Sequence, residues 1–125
     1  ARSANGAGSG TNVIGMGNTA DGALAGTGVA GNYNYSAGYA AGGNIQGDRN
    51  TTLGVDSGKD VVGDSNAALG DLSGNGVKGS GNTSVGQRSG SGISGNGNIS
   101  IGMDANNYIA APTTIQMTTV IGSNA

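Results

Sequence analysis

Cysteine and histidine are both absent from this chain. Their absence removes thiolate nucleophiles, disulfides, thiolate zinc clusters and the usual neutral-pH general base. Serines abound, but none has a histidine to activate it, and Lys59 and Lys78 carry no motif that would pair either with a serine nucleophile. The chain is therefore read as non-enzymatic, with no catalytic, cofactor-binding or metal-binding residue. Phe and Trp are missing too, so a core must be made from small and aliphatic side chains. Charge is sparse: seven Asp oppose Arg2, Arg49, Lys59, Lys78 and Arg88, for a net charge of −2. Without a clustered basic face, nucleic acid is not an expected partner. No apolar run approaches the roughly 20 residues that span a bilayer, so no direct membrane contact is expected. No signal peptide is visible, and the chain reads as an internal piece of a longer protein.

What the chain has is glycine, 28 in 125 residues, and the glycines are not scattered. A sixteen-residue unit runs six times without a gap from Gly15 to Ala110. Each unit opens on glycine (Gly15, Gly31, Gly47, Gly63, Gly79, Gly95) and has asparagine at its fourth place (Asn18, Asn34, Asn50, Asn66, Asn82, Asn98). Glycine returns at place eight (Gly22, Gly38, Gly54, Gly70, Gly86, Gly102). Place fifteen is always Val or Ile: Val29, Ile45, Val61, Val77, Ile93 and Ile109. A fixed period with fixed chemistry marks a stacked repeat fold.

Within a unit, places four to seven alternate like a short strand, and place fifteen marks a second. Two strands and two glycine turns make a flattened coil. One coil buries too little to offset the entropy of ordering it, so coils must stack, strand on equivalent strand. Stacking predicts an Asn ladder at one corner. It also predicts an interior ladder at place seven, where Leu53, Leu69, Val85 and Ile101 stand. Place six is always small (Ala20, Ser36, Thr52, Ala68, Ser84, Ser100) and is expected on the opposite face, against partner chains. The thin core calls for such partners, and a symmetric homo-oligomer is the natural solution.

Two stretches carry a resemblance. Gly63-Asp64-Ser65-Asn66-Ala67-Ala68-Leu69-Gly70 and Gly95-Asn96-Gly97-Asn98-Ile99-Ser100-Ile101-Gly102 are similar to the head repeat of the YadA-like domains of trimeric autotransporter adhesins. Small residues at place eleven (Ala25, Ala41, Ser57, Ser73, Ser89, Ala105) fit as well. The resemblance implies an all-β fold, a left-handed parallel β-roll assembled as a side-by-side homotrimer. It implies display on the surface of a Gram-negative bacterium, anchored in the outer membrane through regions absent from this chain. The partners it implies are host extracellular-matrix or cell-surface molecules. The alternative is a structural or ice-binding β-solenoid, such as a fibre shaft, although threonine holds place five in only three of the six units (Thr19, Thr51, Thr83).

The chain reads as a single head domain, 1–125, with full repeats over 15–110, a partial repeat over 1–14 and another over 115–125. A register break with an inserted loop at 111–114, containing Pro112, separates the full repeats from the partial repeat over 115–125. Val120-Ile121-Gly122 then resumes places six to eight. The period does not encode the target, so its breaks are the candidate binding positions: the Pro112 insertion and the unit holding Tyr33, Tyr35 and Tyr39. Alternation assigns those three rings to the core near one end; the alternative is an exposed contact patch. Asp21, at the apolar seventh place, requires either local pairing or a distorted first unit. Asp48, Asp56, Asp60 and Asp64 match neither the nonapeptide calcium turn nor the EF-hand loop. Arg49, Lys59 and Asp60 read as solvated surface.

Overall fold

The structure, a computed structural model, describes residues 3–107, 113–114 and 116–125. Ile109 and Pro112 lie outside the described residues. Among the described residues, ten short strands follow one another: β1 Ser3–Asn5, β2 Thr19–Asp21, β3 Tyr35–Ala37, β4 Thr51–Leu53, β5 Ala67–Leu69, β6 Thr83–Val85, β7 Ile93–Ser94, β8 Ile99–Ile101, β9 Thr113–Thr114 and β10 Thr119–Ile121. Eight of them form one parallel sheet in the order β1-β2-β3-β4-β5-β6-β8-β10. The chain is thus an all-β parallel solenoid of about seven coils, each close to sixteen residues.

Register follows the period. Thr51 pairs with Ala67 and Leu53 with Leu69, and the same sixteen-residue offset holds from β1 through β8. The second strand of each coil is minimal: single parallel bridges link Ile14, Ala30, Gln46, Val62, Lys78 and Ser94 in turn. Hydrogen bonds also continue around the corners, as in Leu72 N–H to Val55 C=O at 2.9 Å and Gly76 N–H to Lys59 C=O at 2.8 Å. The stack therefore satisfies the turn amides that an isolated coil would leave to water.

The final coil departs from the period. Thr113 pairs with Ile93 and Thr119 with Ile99, each an offset of twenty. The offset therefore exceeds the period by four in this coil, and residues 111–112 of the insertion expected at 111–114 lie outside the described residues. Thr113 takes the register position that a strict period assigns to Ile109. Beyond it, Val120 and Ile121 sit opposite Ser100 and Ile101, as expected.

The core reverses the expected faces. Ala20, Ser36, Thr52, Ala68, Ser84 and Ser100, the small sixth place, are buried inside the coil, while Leu69, Val85 and Ile101 at place seven are exposed. The reason is the glycine at place twelve, which faces place six across a very narrow interior. A Cβ added to Gly26 would lie 2.9 Å from the Ala20 Cβ, and one on Gly74 would lie 2.7 Å from that of Ala68. Only small residues fit there, so the alternating strand must turn its larger members outward. The apolar core is instead a single column of place-fifteen residues, Val29, Ile45, Val61, Val77 and Ile93, with Val13 packed against it.

The asparagine ladder forms as expected. Asn50 accepts on Oδ1 from the Asn66 backbone N–H at 2.9 Å and from Asn66 Nδ2 at 3.1 Å, while its own Nδ2 donates to the Gly63 carbonyl at 2.9 Å. The pattern repeats from Asn18 through Asn98 and closes on the Thr118 backbone N–H.

Candidate interaction surfaces

The reversal of faces decides what the surface displays. Places five and seven of successive strands form an outer row across the sheet, made of Leu53, Leu69, Val85, Ile99, Ile101 and Ile121 in its second half. Leu69 is 37 % exposed and Val85 36 %, values high for aliphatic side chains in register on one face. Toward the first coils the row becomes polar, through Thr19, Asp21 and Asn5. Asp21 is exposed, and its Oδ1 accepts from Asn5 Nδ2 at 3.1 Å, so it is locally paired and the first unit is undistorted.

The tyrosine unit also reverses its expected assignment. Tyr33 is 62 % exposed, Tyr39 54 % and Tyr35 39 %; none fills the core. For Tyr35 the outward turn of odd places in β3 is responsible, whereas Tyr33 and Tyr39 lie in the turns on either side of that strand. Tyr33 stands at the corner preceding β3 with φ of 57°, a conformation that costs a bulky residue about 1 kcal/mol or more. Glycine fills that corner in the coils of Gly17, Gly81 and Gly97, whereas Arg49 (φ 58°) and Ser65 (φ 59°) follow Tyr33. The Tyr33 ring extends over Gly17, where an added Cβ would lie 2.5 Å from Cδ1 and 2.7 Å from Cε1.

At another corner, Arg88 Nε and Nη2 contact Asp104 Oδ1 and Oδ2 at 2.5 and 2.6 Å. Those hydrogen bonds, more than the opposite charge, hold the Asp104 carboxyl below the usual carboxylate range and raise the Arg88 guanidinium further. Beside the pair runs an open groove of about 430 Å³, whose lining includes Leu72, Asn75, Arg88, Ser91 and Asn107. Lys59 Nζ pairs with Asp56 at 3.2 Å, while Arg49 and Asp60 are at the surface. Among the described residues, no group of three or more Asp, Glu, His or Cys side chains could hold a metal ion. No helix among them is long and apolar enough to cross a membrane.

A second side-chain ladder runs up place two, and the repeat alone does not predict it. Asn32, Asp48, Asp64, Ser80 and Asn96 each accept the backbone N–H of the place-two residue one coil earlier, at 2.7–3.0 Å. Its only trace in the sequence is a short oxygen-bearing side chain directly after five of the six opening glycines. Four Asn-x-Ser/Thr triplets, at Asn34, Asn50, Asn82 and Asn98, suggest glycan acceptors. All four asparagines are buried in the ladder, out of reach of a modifying enzyme.

No family model, no curated protein and no solved structure matches this chain.

Proposed function

We propose that the chain is a head module of a trimeric bacterial surface adhesin, a non-enzymatic rod that binds host extracellular-matrix or cell-surface molecules. The observation that carries this reading is the outward apolar row at places five and seven. A solenoid with one thin aliphatic column inside gains most by burying that row against copies of itself. The row is in register and edged by turns, so several identical chains can meet along it side by side. This moves the interface from the small sixth place to the opposite face of the same strands. The similarity of the Asn66–Gly70 and Asn98–Gly102 stretches to adhesin head repeats supports three chains and display on a Gram-negative outer membrane.

Light scattering tests the assembly: a mass of three chains is expected, and a stable monomer overturns it. Beads coated with the protein test the activity. They should be retained on a mixed extracellular-matrix coat over an albumin coat, and equal retention on both defeats the adhesive role.

One observation favours a second reading, a shaft or ice-binding solenoid. Thr19, Thr51, Thr83 and Thr119 all lie at the outward fifth place of their strands. Thermal hysteresis from a protein that stays monomeric would put this reading first.

A further inference from the structure

We infer that the corner groove beside the Arg88–Asp104 pair binds a neutral, extended glycan, one sugar to each coil. Leu72 and Arg88 stand at place ten of consecutive coils, and Asn75, Ser91 and Asn107 at place thirteen of three; all five line this one groove. Gly76 and Gly92, at place fourteen, complete the lining and leave it open. A Cβ added to Gly76 would meet nothing nearer than 3.8 Å, whereas one on Gly28, at the same place three coils earlier, would lie 2.8 Å from Asn44 Oδ1. In the second and third units that place is filled by Asn44 and Asp60, which bond to each other at 3.0 Å. Lys59 passes 3.8 Å from the Cβ position of Gly43 there as well. The corner is thus occupied in the earlier coils and opens from Leu72 onward.

The place-thirteen groups are held by the fold and keep hydrogen-bonding capacity in reserve. Asn75 Oδ1 accepts the Lys59 backbone N–H at 2.8 Å, which leaves its Nδ2 as a donor. Ser91 Oγ donates to the Leu72 carbonyl at 3.0 Å, which leaves its oxygen to accept. Successive rungs are about 4.8 Å apart along the stack. An extended β-1,4-linked glycan advances by nearly that distance per sugar, so successive sugars meet successive rungs. An extended peptide rises about 3.3 Å per residue and turns every second side chain to one face, about 6.6 Å apart, out of step with the coils. Leu72, 40 % exposed, supplies an apolar contact for the C–H face of a ring. Arg88 is bound in bidentate fashion to Asp104, so its charge is offset at the groove and its guanidinium plane is held in place. Amide and hydroxyl groups, an aliphatic surface and no uncompensated charge suit a neutral sugar, whose hydroxyls both donate and accept.

The inference deepens the adhesin reading by naming a ligand class and rests on that reading for its biological setting. The groove lies within one chain and includes no residue of the outer apolar row. Retention on a matrix coat by a protein that binds no neutral glycan would therefore end this inference and leave the adhesin reading standing.

The test is calorimetric titration of the intact chain with cellotriose, with chitotriose, with the two corresponding disaccharides and with an acidic hyaluronan tetrasaccharide. At least one neutral trisaccharide should bind, about tenfold more tightly than its disaccharide because a third rung is engaged. Binding by neither trisaccharide overturns the proposal, as does a hyaluronan tetrasaccharide that binds as tightly. Equal affinity for disaccharide and trisaccharide overturns the match of one sugar to one coil. Gly76→Asn, which fills the groove, and Leu72→Ala, which removes its apolar contact, should each weaken binding about tenfold. Both put in place the residue that another coil carries at the same left-handed position, Asn44 (φ 57°) for Gly76 (φ 69°) and Ala40 (φ 53°) for Leu72 (φ 60°), so the coil can accommodate them. Circular dichroism checks that both stay folded. Lys78→Ala, outside the groove, should bind like the parent. Unchanged affinity in both Gly76→Asn and Leu72→Ala overturns the site even if the parent binds a neutral glycan.

Discussion

Three serine hydroxyls are buried with no hydrogen-bond partner among the described residues: Ser57 Oγ, Ser73 Oγ and Ser89 Oγ. They occupy place eleven, where Ala25, Ala41 and Ala105 stand in the other coils and are equally buried. A buried hydroxyl with no hydrogen bond carries its desolvation cost uncompensated. Ser73→Ala should therefore stabilise the protein by about 1 kcal/mol, read as a higher denaturation midpoint at unchanged slope. A loss of stability would mean that the hydroxyl has a partner in solution. Asp104 supplies a pH dependence whose sign is fixed by the direction of its shift. Its folded pKa lies below the unfolded value, so its contribution is complete above about pH 4 and fades as pH falls through the folded value. Arg88 stays charged throughout that range. Acid titration of stability should show a steeper loss below about pH 4 in the parent than in Asp104→Asn, with a constant gap above about pH 5.

At the scale of the coil, the strongest directional element is the asparagine ladder, and it is legible in the sequence. Asparagine at every fourth place, beside a glycine-bounded strand, points to little else. Asn50 shows what one rung holds. Its Oδ1 takes two donors from Asn66, and its Nδ2 serves both Asn34 Oδ1 and the Gly63 carbonyl. Asn50→Ala would strand buried groups on three neighbours at once, and a loss of about 3 kcal/mol or more is expected in urea denaturation. A loss under about 1 kcal/mol would mean that the ladder is a consequence of stacking rather than a support for it. The place-fifteen column is legible for a similar reason, because Val or Ile recurs there in every unit. Which face of the main strand points inward is not. Alternation separates place six from places five and seven but does not say which side is inside. Apolarity at place seven points to the interior; the contact between Ala68 and Gly74 overrules it, because the cavity has room only for small side chains. The clue is the glycine at place twelve, whose meaning depends on a distance across the coil that no local pattern records. The same inversion carries Tyr35 outward, against its expected place in the core, and Tyr33 and Tyr39 stand in the turns that flank its strand.

For the whole molecule, that inversion turns a question about assembly into a clean pair of substitutions on adjacent residues. Ala68 and Leu69 are neighbours in β5, one buried against Gly74 and the other on the outer row. Ala68→Asp would force a carboxylate into an interior with no space for its atoms and no water to solvate its charge. The coil should open there, with loss of the β signal in circular dichroism and a cooperative transition that is weakened or absent. Leu69→Asp leaves the solenoid interior untouched and puts a charge in the middle of the apolar row. If copies of the chain meet along that row, each contributes a carboxylate to the same desolvated level, and like charges there oppose association strongly. The expected product is a folded monomer, with parental circular dichroism and one third of the parental mass by light scattering. If both variants keep the parental mass, the row is not the interface. If the parent is itself a monomer and Leu69→Asp changes nothing, the solenoid is stable alone, and its stacked hydrogen bonds offset a thinner core than the adhesin reading supposes.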